Sequence, residues 1–285
     1  MANSTGVEWP PRDIVDSVAD RHGQVVLSAV NCGFVDFADN WAQSLLRIGV
    51  TNFVFVPLDE EAHAILSATY PEHVVPIVPG LEWLPRQPAS FANTKAFKAV
   101  TQTRPTFLLA FIEAGYTVFY NDADTYWLTN ALVEFDDLHR RLGKGDRPHA
   151  VIIDDDPKHI TEDIPNFCSG IIYLRPTSQV RDFLLQWIDE IALVPGHRND
   201  QPAFNAVIRR FNEEGVMPIR VGDWDKFPPG DEFFKGRAGY MQEEHQVAIV
   251  HNNWIVGEER KRSRFIEHGM WNPSGKLGRY SCGSK

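Results

Sequence analysis

Basic residues are scarce beside acidic ones. In 285 residues, Lys+Arg number 28 against 38 Asp+Glu, for a formal net charge of −10. Nucleic acids and anionic membrane surfaces bind through basic footprints, so the balance argues against both as partners. A phosphate-bearing small molecule is not excluded, because it needs only one local basic group and a metal. Cysteine is scarcer still. Cys32, Cys168 and Cys282 are too few and too scattered for a disulfide framework or a zinc cluster. No apolar run approaches the roughly 20 residues of a membrane span. The longest, Phe107–Ile112, has the length of a helix core. The N-terminal MANSTGVEWPPRD shows no basic region followed by an apolar one, so no signal peptide is read and the cytosol is expected. A Golgi-lumen location would require an anchor upstream. Asn3-Ser4-Thr5, a glycosylation sequon, falls in a segment expected to be a disordered tail. No internal repeat or linker is visible, so one domain is expected at 23–265, between tails at 1–22 and 266–285.

What is present is ordinary for a globular protein: 43% hydrophobic and 23% charged residues, with 19 prolines and 12% aromatics that imply shaped loops. Apolar runs predict strands at Gln24–Val30, Asn52–Val56, His73–Val78, Thr117–Tyr120, Ala150–Ile153, Ile171–Leu174 and Val247–Val250. Helical spacing places Phe37, Trp41, Leu45 and Ile48 on one face, with Gly49 as the stop. Further helices are expected at Glu60–Thr69, from Ser90, across Phe107–Ile112, across Val180–Ile191 and at Asp200–Phe211. Pro105 is expected to push Arg104 out of helical geometry. The residues after Val250 read as an irregular basic tail. Strands alternating with helices imply an α/β fold with a mostly parallel sheet, whose ligands bind beyond the strands' carboxyl ends.

Four places carry chemistry. Asp122 and Asp124, in Tyr120-Asn121-Asp122-Ala123-Asp124, follow a buried strand and precede the apolar Tyr126-Trp127-Leu128. Two carboxylates so placed suit a hard divalent cation that leaves positions open for phosphate oxygens, although such a pair also reads as a solvated turn. His251 ends another apolar strand, ahead of Gly257 and Lys261. An imidazole beside carboxylates favours Mn2+ over Ca2+, and a lysine there can neutralise a departing diphosphate. Arg260-Lys261-Arg262-Arg264 reads equally as a solvated basic tail. Asn199-Asp200-Gln201-Pro202 opens a helix, as an N-cap or as polar groups offered to a sugar or phosphate. In Asn166-Phe167-Cys168-Ser169-Gly170, small residues allow backbone to approach a ligand, or simply make a tight turn.

DADTYWL, CSGIIYLRPT, NDQPAFN and HNNWIVGEERK, in that order and spacing, resemble the nucleotide-diphospho-sugar transferases. The likeness runs from about Gln24 to Phe265. It implies a GT-A fold, a Rossmann-like mostly parallel central sheet flanked by helices with a small C-terminal extension. It also implies a retaining transfer, dependent on Mn2+ or alternatively Mg2+, of galactose, glucose, xylose or arabinose. The donor would be a UDP-sugar and the acceptor a hydroxyl of a glycan, glycoprotein or small molecule. The residues it implies are Asp122, Asp124 and His251 for the metal, and Gln201, Asp200 and Lys261 for catalysis. Donor contacts would come from Val30, Asn31, Gly33, Asp59, Arg104, Asp122, Ser169, Gly170, Gly257 and Lys261. Cys168 stands where such enzymes often carry Asn. Asp154, Asp155 and Asp156 are further carboxylates for donor sugar or acceptor, or a solvated loop.

Alternatives fit less well. A phosphatase using Asp-x-Asp needs a small β-branched residue two places after the second Asp, where Tyr126 stands. A nucleotidyltransferase needs a Gly-rich loop after its first strand, which Asn31-Cys32-Gly33-Phe34 is not. A non-catalytic sugar-nucleotide-binding module would have no need of intact Asp122, Asp124, His251 and Lys261.

Overall fold

The computed structural model describes residues 9–81, 84, 94–133, 150–154, 166–193, 199–240, 247–277 and 282. Alternation along the strands decides its layers. In β1 (Gln24–Val30), Val25 and Leu27 join one apolar cluster, while Val26 and Val30 join another. In β2 (Phe53–Pro57), Val54 and Val56 take the first side and Phe53 and Phe55 the second. Strands buried on both faces read as continuous apolar runs, which is why these were legible.

With β3 (Thr117–Asn121), β5 (Ala150–Asp154), β6 (Phe167–Leu174) and β7 (Ile219–Val221), the main sheet has the order β2-β1-β3-β6-β5-β7. β1 pairs parallel with β2 and β3, and β5 parallel with β7, whereas β6 runs antiparallel to β3 and β5. A separate antiparallel ribbon joins β4 (Thr125–Trp127) to β8 (Ile249–His251).

Helices cover both faces. The first cluster takes residues from α1 (Arg12–Val18), α5 (Arg104–Glu113), α6 (Ser178–Leu193) and α7 (Gln201–Glu213). Val100 of α4 (Thr94–Gln102) packs against it. The second takes residues from α2 (Val35–Arg47), α3 (Glu60–Thr69), α8 (Gly230–Tyr240) and α9 (Glu258–Glu267). This is the α/β architecture expected, with a mostly parallel sheet between two helical layers.

Several expectations are corrected. His73–Val78 is not a strand; it makes one isolated bridge, Val74 to Phe55, because the next rung of this parallel ladder needs an N–H from Pro57, which has none. Arg104 is helical, the first residue of α5, since Pro105 sits in the first turn where a missing N–H costs nothing. The basic segment after β8 is the ordered helix α9, not an irregular tail. Both flanks of 23–265 also carry packed residues. Val15 of α1 is buried, Trp9 Nε1 donates to Pro76 O at 3.0 Å, and Met270 is buried in the second cluster. The sequon at Asn3 lies outside the described residues.

Three cysteines make no framework, but two of them make a bridge. Cys32 and Cys282 form a disulfide across a separation of 250 residues, tying the chain's end to the turn after β1. Closing so long a loop restricts the unfolded chain. Cys282→Ser is therefore expected to lower the unfolding free energy by about 2–4 kcal/mol. Urea denaturation with and without a reductant checks this. Equal midpoints for the oxidised protein and the variant would contradict it.

Candidate active site

Sheet topology collects the site. β3 ends at Asn121, and Asp122 follows. Because β6 runs antiparallel to β3, it begins where β3 ends, and Ile171 pairs with Asn121. Asp122 N donates to Gly170 O at 2.8 Å, and Thr125 N and Oγ1 donate back to Asp122 O at 3.1 and 2.9 Å. The Asp-x-Asp turn is thus fastened at both ends. In the β4–β8 ribbon Thr125 faces His251, which brings the imidazole beside Asp124. His251 Nε2 lies 3.8 Å from Asp122 Oδ2 and 3.4 Å from Asp124 Oδ1. One ligand atom from each of Asp122, Asp124 and His251 lies within 4.8 Å of the others. Two carboxylates and an imidazole form an oxygen–nitrogen set suited to a first-row divalent cation such as Mn2+. The other ring nitrogen, His251 Nδ1, is 3.5 Å from Cys168 Sγ, so the ring is held from behind.

Gly170 has a part that its motif did not reveal. A Cβ there would stand 2.7 Å from His251 Cε1 and closer still to Asp122 Oδ2. Its missing side chain makes room for two residues of the cluster itself.

So many buried acids need a cation, and Arg104 supplies it. Its guanidinium donates to Asp122 Oδ1 at 2.8 Å, Asp200 Oδ2 at 2.5 Å and Ser169 Oγ at 2.7 Å. The guanidinium also lies 5.1 Å from the centre of the Tyr120 ring, and the Tyr120 hydroxyl donates to Asp122 Oδ1 at 2.7 Å. Side-chain exposure is 6% for Arg104 and 1% for Asp200, so the pair is desolvated. Removing one partner of such a pair costs about 3–5 kcal/mol, because the other charge stays buried. Burial still lifts the Asp200 carboxyl to about 6, against the pull of Arg104 and with help from Asp122. For Asp124, burial opposes ionisation, but Lys261 and His251 outweigh it and hold the carboxyl well below its ordinary range. Burial disfavours the charged form of His251, and Cys168 and Asp124 overcome this, raising the imidazole well above its ordinary value.

A cavity of about 490 Å³ opens over this centre. The structure brings to its wall Asn31, Arg104, Asp122, Asp124, Ser169 and Gly170 from the first half of the sheet and its crossings. Asp200 and Gln201 at the start of α7 join them, as do His251, Gly257 and Lys261 around the β8–α9 turn. Ser169 N approaches Gln201 Oε1 at 3.4 Å, and Lys261 Nζ pairs with Asp124. Gly257 starts α9 with φ 97°, a conformation glycine adopts without strain.

Val30, Gly33 and Asp59 do not line the cavity. Val30 is buried in the second cluster, and Gly33 sits in a short 3-10 turn, Cys32–Phe34. Asp59 is taken up structurally: Oδ1 caps α3 through Ala62 N at 2.8 Å, and Oδ2 accepts from Cys32 N at 2.7 Å. Asp200 is not the side-chain cap its position suggested; it makes no capping bond and turns to Arg104. The basic run is not simply solvated either. Arg262 pairs with Asp36, and Arg264 donates to Asn252 Oδ1 at 2.7 Å. Asp154 ends β5, while Asp155 and Asp156 lie outside the described residues. Tyr120 was missed, since a tyrosine inside an apolar strand gives no local sign that its hydroxyl meets a carboxylate.

Gly170→Ala is expected to leave the far-ultraviolet circular dichroism intact and to weaken Mn2+ binding by about 10–100-fold, the range for displaced metal-site supports. Calorimetric titration with Mn2+ reads it, and an unchanged affinity would show that the close approach is not needed.

Comparison with known proteins places this geometry. Residues 48–265 match the family described as nucleotide-diphospho-sugar transferase. UDP-D-xylose:L-fucose alpha-1,3-D-xylosyltransferase 1 of Arabidopsis thaliana is 29% identical over 280 residues, covering 90% of this chain and 75% of the relative. More distantly, the UDP-galactose:fucoside alpha-3-galactosyltransferase of Dictyostelium discoideum is 24% identical, covering 61% of this chain and 28% of that protein. The crystal structure of the galactosyltransferase LgtC with donor and acceptor sugar analogues shares the fold at a TM-score of 0.57. It is 14% identical, over 90% of this chain and 97% of its own. The chain belongs to the nucleotide-diphospho-sugar transferase family and is a glycosyltransferase.

Proposed function

We propose that this enzyme transfers a sugar, with retention, from a UDP-sugar to a hydroxyl of an L-fucose-containing acceptor. The observation that carries the proposal is the convergence in one cavity of Asp122, Asp124 and His251 with Arg104, Asp200, Gln201 and Lys261. The relatives support the choice of substrate. One uses UDP-xylose and the other UDP-galactose, yet both act on fucose through an alpha-1,3 or alpha-3 bond. The acceptor is the shared element, and UDP-xylose is the first donor to test. A sugar that is α-linked in the donor and α-linked in the product has kept its configuration.

Asp122, Asp124 and His251 would hold a divalent cation, Mn2+ or alternatively Mg2+, which when bound supplies charge stabilisation to the leaving diphosphate. Lys261 adds a point charge on the same side. Asp200, ionised, accepts from hydroxyls of the donor sugar while Arg104 fixes its orientation. Gln201 faces the anomeric carbon as an amide and is no nucleophile. Asp200 is bound to Arg104 and Ser169, so it is poorly placed to attack. This favours front-side attack: the acceptor oxygen bonds to the anomeric carbon as the C–O bond to phosphate breaks. The acceptor's proton passes to the departing β-phosphate oxygen. The Cys32–Cys282 disulfide supports an oxidising compartment over the cytosol. Among the described residues no helix is long and apolar enough to cross a membrane.

Asp124→Asn is expected to lower kcat by about 10²–10³-fold, as for loss of an electrostatic stabiliser. UDP release and product NMR, with a panel of UDP-sugars and Mn2+, read the rate and the anomer. Full activity in the variant or an inverted product would reject the mechanism. Asp200 accepts hydrogen bonds from sugar hydroxyls most strongly as the carboxylate, where they are charge-assisted. With its pKa raised to about 6, that form is present above this pH and lost as pH falls through it. The donor's kcat/KM is expected to fall on the acid side with a midpoint near this value. A flat profile between pH 5 and pH 7 would remove Asp200 from the binding step.

A further inference from the structure

One residue on the cavity wall is both strained and half exposed. The chain leaves β8 at His251 and is pinned at once. Asn252 N donates to Asp124 O at 2.9 Å, and Asn252 Nδ2 to Lys261 O at 2.9 Å. Arg264 donates to Asn253 O at 2.5 Å, and Gly230 N to Asn253 Oδ1 at 2.7 Å. A Cβ on Gly230 would come 2.7 Å from Asn253 Oδ1, so the contact is as close as the backbone allows. The next residue, Trp254, has φ 57°, the one positive φ of a non-glycine among the described residues. Its side chain has no short polar group to ease that conformation as Asn or Asp would. Strain of this kind costs about 1–3 kcal/mol and persists where the surroundings over-determine it. Core packing is not the return, because Trp254 remains 53% exposed while lining the cavity. Ile255 and Val256 extend the apolar lining, and Phe97 and Val100 of α4 add to it.

We propose that Trp254, with Ile255 and Val256, is the acceptor subsite: an apolar platform for the ring face and methyl group of a 6-deoxyhexose. This rests on the fucose-acceptor reading above and assigns residues to it. The donor's diphosphate and hydroxyls call for charged and polar partners, and those are gathered around Asp122, Asp200, Gln201 and Lys261. Trp254, Ile255 and Val256 bring no charge, and the indole N–H is their one polar side-chain group. The acceptor must lie against the reaction centre and enter from solvent. Trp254 meets both needs, being three residues from His251 and so at most about 11 Å along the chain. A methyl at C6 is desolvated against such a wall without penalty, whereas a hydroxymethyl gives up hydrogen bonds to water. Apolar pockets discriminate against one added hydroxyl by up to about 10²-fold.

The test uses the full chain with Mn2+, the best UDP-sugar donor, and two acceptors that differ only at C6, methyl α-L-fucoside and methyl α-L-galactoside. Wild type is expected to favour the fucoside by about 10–10²-fold in kcat/KM. Trp254→Ala is expected to raise the fucoside KM about tenfold and to shrink the preference, while Trp254→Phe keeps most of both. UDP affinity with Mn2+, measured by calorimetry, stays within about twofold in each variant and reports a folded donor site. An unchanged fucoside KM in Trp254→Ala overturns the assignment. A large loss of UDP affinity also overturns it, because the ring would then stack on the nucleotide. Turnover of neither glycoside by wild type overturns the fucose reading itself, and the subsite with it.

Discussion

The structure around the site depends on a cation buried among acids. Asp122 arrives on β3, Asp200 at the start of α7 and Ser169 on β6, and Arg104 of α5 bonds to all three. Neither Asp122 nor Asp200 could bring its carboxylate to the cavity floor without a counter-charge, because a buried unpaired carboxylate would take up a proton instead. Arg104 is therefore the joint between the Asp122–Asp124–His251 cluster and the Asp200 side of the cavity. The same constraint sets the electrostatics. Asp200, desolvated, keeps a carboxyl raised to about 6 even beside Arg104, while Asp124, held by Lys261 and His251, stays ionised far below that. Two chemically identical groups are given different proton affinities by where the fold puts them.

Close backbone approach is the second constraint. Gly170 and Gly230 each face atoms of the His251 segment at distances that no side chain could share. They let β6 and α8 press against β8, so the imidazole and the carboxylates meet. Fixed on both sides, the loop after His251 has little freedom left, and Trp254 absorbs the misfit in its own backbone.

Much of this was legible because it is local. Gln24–Val30 and Glu60–Thr69 match β1 and α3 because the first is a continuous apolar run and the second a helical segment begun by Asp59. The Asp122–Asp124 turn announced itself by standing between two apolar segments. The errors were of another kind. Pro57 cancelled a strand by withholding one N–H, and Arg104 stayed helical because Pro105, in the first turn of α5, has no need of one. The basic residues after His251 looked solvated, since charge content does not reveal that Arg262 would meet Asp36 or Arg264 would meet Asn252.

By itself the sequence determined the α/β layering, the strand that ends in Asp-x-Asp and the helix that begins with Asp200 and Gln201. Each is encoded in residues within a few positions of one another. Only the tertiary structure decided that β6 would run antiparallel and place Gly170 behind Asp122. It also decided that Arg104 would reach Asp200 across 96 residues, and that Cys32 would meet Cys282 across 250. Asp59 and Asp200 show the difference in one pair. Both stand before helices, but only Asp59 caps its own, because a buried guanidinium draws Asp200 away. Local patterning sets what a segment can form. The desolvation of charge, which depends on every neighbour brought in by the fold, sets which of its groups face the cavity.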